Sequence, residues 1–140
     1  MDDKKMCKRI TYVFFSVILP LFIGFFFYVF FKPDTYISGF VREFVLLPAH
    51  SATGIFTKCF YNWGCDFLWA YAMNSLLVVL LSIYRKPALI AALLTGVTGI
   101  CLEIFQLFWV FDGTFDFIDI ISEVLAIMIS DLIIKKFEVV

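Results

Sequence analysis

Five polar side chains stand inside or at the borders of runs that are otherwise apolar: Glu103 and Gln106 in one run, Asp116, Asp119 and Glu123 in the next. An acid near the centre of a hydrocarbon layer costs roughly 2.5–3.5 kcal/mol by insertion scales, so such groups face protein or water and often mark function. Glu103 and Gln106 are three residues apart, and Asp116, Asp119 and Glu123 are three and four apart, which puts each set on one helix face. Small residues extend both faces: Ala88, Ala92, Gly96 and Gly99 lead to Glu103, while Asp119 and Glu123 continue into Ala126 and Ser130. Such stripes let helices approach closely, so both sets are expected to face neighbouring helices. Glu103 and Glu123 each lie ten residues from Gly113, which centres the intervening turn, and an antiparallel hairpin would bring them level. Two carboxylates at one level in a low dielectric cannot comfortably both ionise, and a shared proton or a cationic partner is expected. Paired acids can also do acid/base work when their environments differ.

Simpler roles compete at several positions. Asp116 suits a helix N-cap and Asp119 the third position beyond it, where acids favour the helix dipole. Asp131 stands four residues before Lys135, as a surface pair would. His50, the single histidine, has Ser51 beside it but no acid at triad spacing, and reads as a solvated loop residue. Cys7 and Cys101 are isolated, and Cys59 and Cys65 suit either a disulfide in an oxidising exterior or two free thiols. No cysteine has zinc-type pairing, so neither a metal site nor a cofactor is expected.

The elements that position these acids are apolar helices. Of the 140 residues 63% are hydrophobic and 19 are Phe, which exceeds the roughly half-apolar usage of soluble domains. The formal net charge of -1 gives no reason to expect nucleic acid. Four runs, about 10–31, 67–84, 87–111 and 117–134, reach or nearly reach the roughly 17–25 residues that cross a bilayer. The first has 22 residues and no small-x-small motif after it, which favours a retained helix over a cleaved signal; Pro20 and Gly24 are expected to bend it. The expected fold is all-α, one membrane domain over residues 1–140 with about four transmembrane helices. Lys4, Lys5, Lys8, Arg9, Arg85, Lys86, Lys135 and Lys136 fall on one side of these spans, against Lys32, Arg42 and Lys58 on the other. The basic excess assigns both termini and the Arg85–Lys86 turn to the cytoplasm.

Segment 32–66 is then external. Within it Ile37, Phe40, Val41, Phe44 and Val45 recur at helical spacing, as in a short helix lying in the interface; a loop packed over the helix ends is the alternative. Tyr61, Trp63, Trp69 and Tyr71 surround the start of the second span, where an aromatic belt anchors a helix.

Glu103-x-x-Gln106, followed by Phe115-Asp116-x-x-Asp119 opening the last helix, resembles the VanZ-like family, and Asp66-Phe67-Leu68-Trp69-Ala70-Tyr71 is similar to that family at the second span. The resemblance covers about 66–130. Gly113 stands where many members carry Arg, and Glu123 and Ala126 where many carry Asn and Gly. Without that Arg, the carboxylates need another partner. The resemblance implies a small multi-span bacterial envelope protein, in a family named from teicoplanin resistance. It gives a class and no reaction.

Together these readings suggest a multi-pass cell-membrane protein in which Glu103, Gln106, Asp116, Asp119 and Glu123 line an outward-facing polar pocket. Its partners would be membrane lipids, with a lipid head group or envelope precursor as ligand. An intramembrane enzyme using Glu103 and Glu123 on a lipid-linked substrate ranks lower, because no nucleophile or metal-binding histidine is evident. A structural subunit whose polar groups bind a partner membrane protein is the third reading.

Overall fold

The computed structural model describes residues 3–31, 36–44, 54, 59–108 and 116–137, and all regular structure among them is helical. The elements are α1 (Asp3–Val13), a π-helical segment (Phe14–Ile18), α2 (Leu19–Phe31), α3 (Tyr36–Phe44), a second π-helical segment (Phe60–Gly64), α4 (Cys65–Leu80), α5 (Pro87–Leu107) and α6 (Phe117–Phe137).

α1, the first π segment and α2 form one continuous helix. Pro20 explains the widened turns in the middle. It has no N–H to donate, and its ring would press on the carbonyl four residues back, at Ser16. The π segment includes Ser16 and closes with the Leu19 N–H donating to Phe14 O, so the strain of the proline is absorbed locally. The bend expected at Pro20 therefore takes the form of a π segment.

Among the described residues two helices are long and apolar enough to cross a membrane, Met6–Phe30 and Pro87–Leu107. The other two bundle helices differ for identifiable reasons. α4 has 16 residues, although the π segment precedes it directly, and α6 has 21 but carries Asp119, Glu123 and Asp131. Pro87 opens α5 in the first turn, where a missing N–H is harmless, and a tight 81–86 connection joins it to α4.

α4 is the central helix, packed against α2, the first π segment, α5 and α6. Its buried residues lie on several faces: Ala70, Tyr71, Ala72, Asn74, Ser75 and Val78. Tyr12, Val78, Ala91 and Ile134 form one apolar cluster, and Ala70, Tyr71 and Ala126 another. The Arg9 guanidinium donates to Ser82 Oγ at 3.3 Å, and Tyr12 packs on Phe137 at 6.1 Å between centroids. The start of α1, the 81–86 turn and the end of α6 thus share one end of the bundle, and the basic residues Arg9, Arg85, Lys86, Lys135 and Lys136 lie there.

Polarity is inverted relative to a water-soluble bundle. Ser16, Asn74, Ser75, Thr95, Glu103 and Ser130 are buried, whereas Phe22, Leu93, Val97, Met128 and Leu132 are more than half exposed. α3 presents Phe40 and Phe44 outward, with their rings 5.0 Å apart. Val45, which the spacing adds to this helix, lies outside the described residues, as do His50, the turn residues around Gly113, and the end of the third apolar run beyond Phe108.

Candidate functional site

The acids gather at the opposite end from the basic residues, where α4 and α6 begin and α5 ends. Asp116 is the cap of α6: the Ile118 N–H donates to its Oδ1 at 3.0 Å, and the Asp119 N–H donates to its backbone carbonyl at 3.0 Å. Its second carboxylate oxygen accepts from the Trp63 indole N–H at 3.4 Å. This carboxylate therefore ties the entry of α4 to the entry of α6, which is the capping role its position allows. Asp119 follows in the first turn and is buried.

Glu103, on α5, is 3% exposed, and its neighbours are the backbone N–H of Asp116 and the carboxylates of Asp116 and Asp66. Its Oε2 is buried with no hydrogen-bond partner among the described residues. Glu123, on α6, is 4% exposed and lies within electrostatic reach of Asp66, Glu103 and Asp119. Its carboxylate rests on the backbone of Gly99, where a methyl group would overlap Oε2 and come within 2.6 Å of Cδ. A side chain at position 99 would require the Glu123 carboxylate to move.

That contact sets the register. With Glu123 opposite Gly99, one further turn along α5 brings Glu103 toward Asp116 and Asp119 on antiparallel α6. Glu103 and Glu123 are therefore neighbours staggered by about one turn, and the level pairing expected from equal distances to Gly113 is corrected by this offset. The small-residue face of α5 also shifts. Its buried residues are Ala91, Thr95, Gly99 and Glu103, each four apart, while nothing approaches the Gly96 backbone within 4 Å. On α6 the expected stripe holds, with Asp119, Glu123, Ala126 and Ser130 all buried.

Glu103, Asp119 and Glu123 are thus brought together with Asp116, which is partly covered. Gln106 lies nearby on the last turn of α5 but is only half-buried. Asp66, in the first turn of α4, joins the group through its proximity to both glutamates. The sequence pattern places it outside the set because it precedes its apolar run.

A second polar layer lies deeper, toward the basic end. Ser75 Oγ and Ser130 Oγ are 2.8 Å apart, and Asn74 Nδ2 donates to Ser130 Oγ at 3.1 Å and to Asp131 Oδ1 at 3.0 Å. Asp131 is therefore engaged by Asn74, where its spacing to Lys135 had suggested a surface pair. Tyr71 donates to Ser16 Oγ at 3.1 Å and is buried, so it fastens the first helix to α4 and is no part of an interfacial belt. The signal for this layer is the pair Asn74-Ser75 in mid-run, since uncharged polar residues in a bilayer helix normally find partners across helices.

Among the described residues no three histidine, cysteine or acidic side chains are arranged to hold a metal ion. All four cysteines are free, including Cys59 and Cys65, which lie along one helical run. No family model matches the chain, and no curated protein or solved structure matches it.

Proposed function

We propose that the chain is a VanZ-like envelope membrane protein of four transmembrane helices, with both termini cytoplasmic and a short interfacial helix, α3, on the outer face. It acts without catalysis and binds a lipid head group or an envelope precursor through Glu103, Asp119 and Glu123, with Gln106 and Asp116 at the rim. The supporting observation is the burial of three acids against one another at the end away from Arg9, Arg85, Lys86, Lys135 and Lys136, in a bundle whose outer surface is apolar. In lipid, the inverted polarity is the stable arrangement, because exposed Phe and Leu meet acyl chains and buried polar groups meet one another. An apolar surface this extensive would be a liability in water.

The gathering of Arg9, Arg85, Lys86, Lys135 and Lys136 at one end supports the orientation, since a cytoplasmic excess of Lys and Arg sets topology. The residues that carry the family resemblance, Asp66, Glu103, Asp116 and Asp119, are distant in sequence and adjacent in space, which supports reading them as one site.

The test is native mass spectrometry of the detergent-solubilised protein. Wild type should retain lipid through purification, and Glu123→Gln, with unchanged helical circular dichroism, should retain less. Equal retention would remove the ligand-binding reading.

A further inference from the structure

Where α4 turns into α5 and α6 finishes, the fold leaves positive charge uncompensated. Asp131 and Lys135 stand four residues apart on α6, a spacing that would suit an ion pair on one helix face. Asp131 is half-buried and engaged by α4 instead, its Oδ1 accepting from Asn74 Nδ2 at 3.0 Å. Lys135 and Lys136 are exposed, as are Arg85 and Lys86 in the 81–86 connection. None of these four side chains makes an ion pair or a hydrogen bond among the described residues.

Packing brings the four to one place. Ile134 is buried against Val78 and Ala91, and Leu81 and Ala88 pack on the same cluster. Lys135 and Lys136 follow Ile134 directly, while Arg85 and Lys86 fall between Leu81 and Ala88 in the chain, so the two basic pairs border one apolar cluster from neighbouring elements. Apart from Asp131, the acid described at this end is Asp3, in the first turn of α1. The surface next to the cations is hydrocarbon: Leu80 and Ile83 before them, Leu89 after them and Leu132 on α6 are all exposed. Tyr84, exposed beside Arg85, has the amphipathic ring found at the level of lipid head groups. Free cations bordering exposed aliphatic side chains complement one kind of molecule, an anion that carries hydrocarbon.

Resting on the membrane reading above, we infer that Arg85, Lys86, Lys135 and Lys136 bind the head group of an anionic phospholipid in the cytoplasmic leaflet, with its acyl chains along the exposed apolar residues of α5 and α6. The attraction is Coulombic and grows with each cation near the surface. A zwitterionic phospholipid brings the same chains but no net charge, so the head group decides. This contact lies at the opposite end of the bundle from Glu103 and Glu123 and does not depend on a ligand there.

Native mass spectrometry of the full chain in mixed micelles, titrated with dioleoyl phosphatidylglycerol or dioleoyl phosphatidylcholine, reads the preference. The glycerol lipid should bind at least about twentyfold more tightly, and Lys135→Gln with Lys136→Gln, or Arg85→Gln with Lys86→Gln, should each lower its affinity by about twentyfold, roughly fivefold per cation removed. Binding of the choline lipid should not change, and salt at about 0.5 M should weaken only the glycerol lipid, because exposed charges are screened. Glu123→Gln should leave the preference intact. Equal affinity for the two lipids, or a preference that neither double variant lowers, overturns the inference. Displacement of the glycerol lipid by an equal concentration of inorganic phosphate also overturns it, by showing a site for soluble anions. If the preference is absent while Glu123→Gln still loses purified lipid, this inference fails and the ligand-binding reading stands; if the basic variants lose the preference while Glu123→Gln retains all its lipid, this inference holds and that reading fails.

Discussion

The carboxylate of Glu123 lies directly on the backbone of Gly99, with no room for a methyl group between α5 and α6. The opposing helix presents bare backbone there, and Glu123 lies within reach of Glu103 and Asp66.

Gly99→Ala should therefore destabilise the bundle by overpacking, by about 1–3 kcal/mol. Reversible unfolding in mixed micelles measures it. Glu123→Ala, by vacating the contested volume, should recover most of the loss in the double variant, as residues in contact are non-additive. An additive pair would show that Gly99 and Glu123 do not compete for one space.

Asp116→Ala removes the cap of α6 and the acceptor of the Trp63 indole N–H. A cost of about 1 kcal/mol is expected from the lost cap, together with a shift in Trp63 emission. Asp116→Asn should keep much of the stability, because the amide oxygen still accepts from Ile118. Full stability in the alanine variant would contradict the capping role.

Asn74→Ala breaks two hydrogen bonds across α4 and α6. Interhelical bonds of this kind are worth about 0.6–2 kcal/mol each in bilayers, so a loss of roughly 1–3 kcal/mol is expected, without change in bound lipid. Loss of lipid at full stability would move Asn74 into the binding site.

Much of this was legible in the chain, for reasons visible at particular residues. The face of α6 was readable because Asp119, Glu123, Ala126 and Ser130 share one periodicity and no rival stripe exists on that helix. α5 offers two rival stripes, Ala88-Ala92-Gly96 and Ala91-Thr95-Gly99, about 60° apart from face to face, and small-residue spacing cannot choose between them. The contact with Glu123 chooses. Asn74, Ser75 and Ser16 gave little warning, since their role depends on which helices meet across the bundle, and Tyr71 looked interfacial because it follows Trp69 by one half-turn. Asp66 entered only through the family resemblance, because it stands outside the apolar run.

Topology offers a separate check. External thiol reagents should reach cysteines introduced in segment 32–66 of intact cells and fail to reach one replacing Arg85. Labelling at position 85 from outside would invert the orientation and place the acids at the cytoplasmic face.

The most direct test of the central claim, that the buried acids act as one ligand-binding unit, is a double-mutant cycle on retained lipid with Glu103→Gln and Glu123→Gln. Glutamine keeps hydrogen-bonding capacity while relieving like-charge repulsion, so both variants should assemble. Each single change should lower retention, and the double change should cost less than the sum of the two. Strictly additive losses would show that the glutamates act independently, and retention equal to wild type in both single variants would reduce the acidic layer to a helix-packing device.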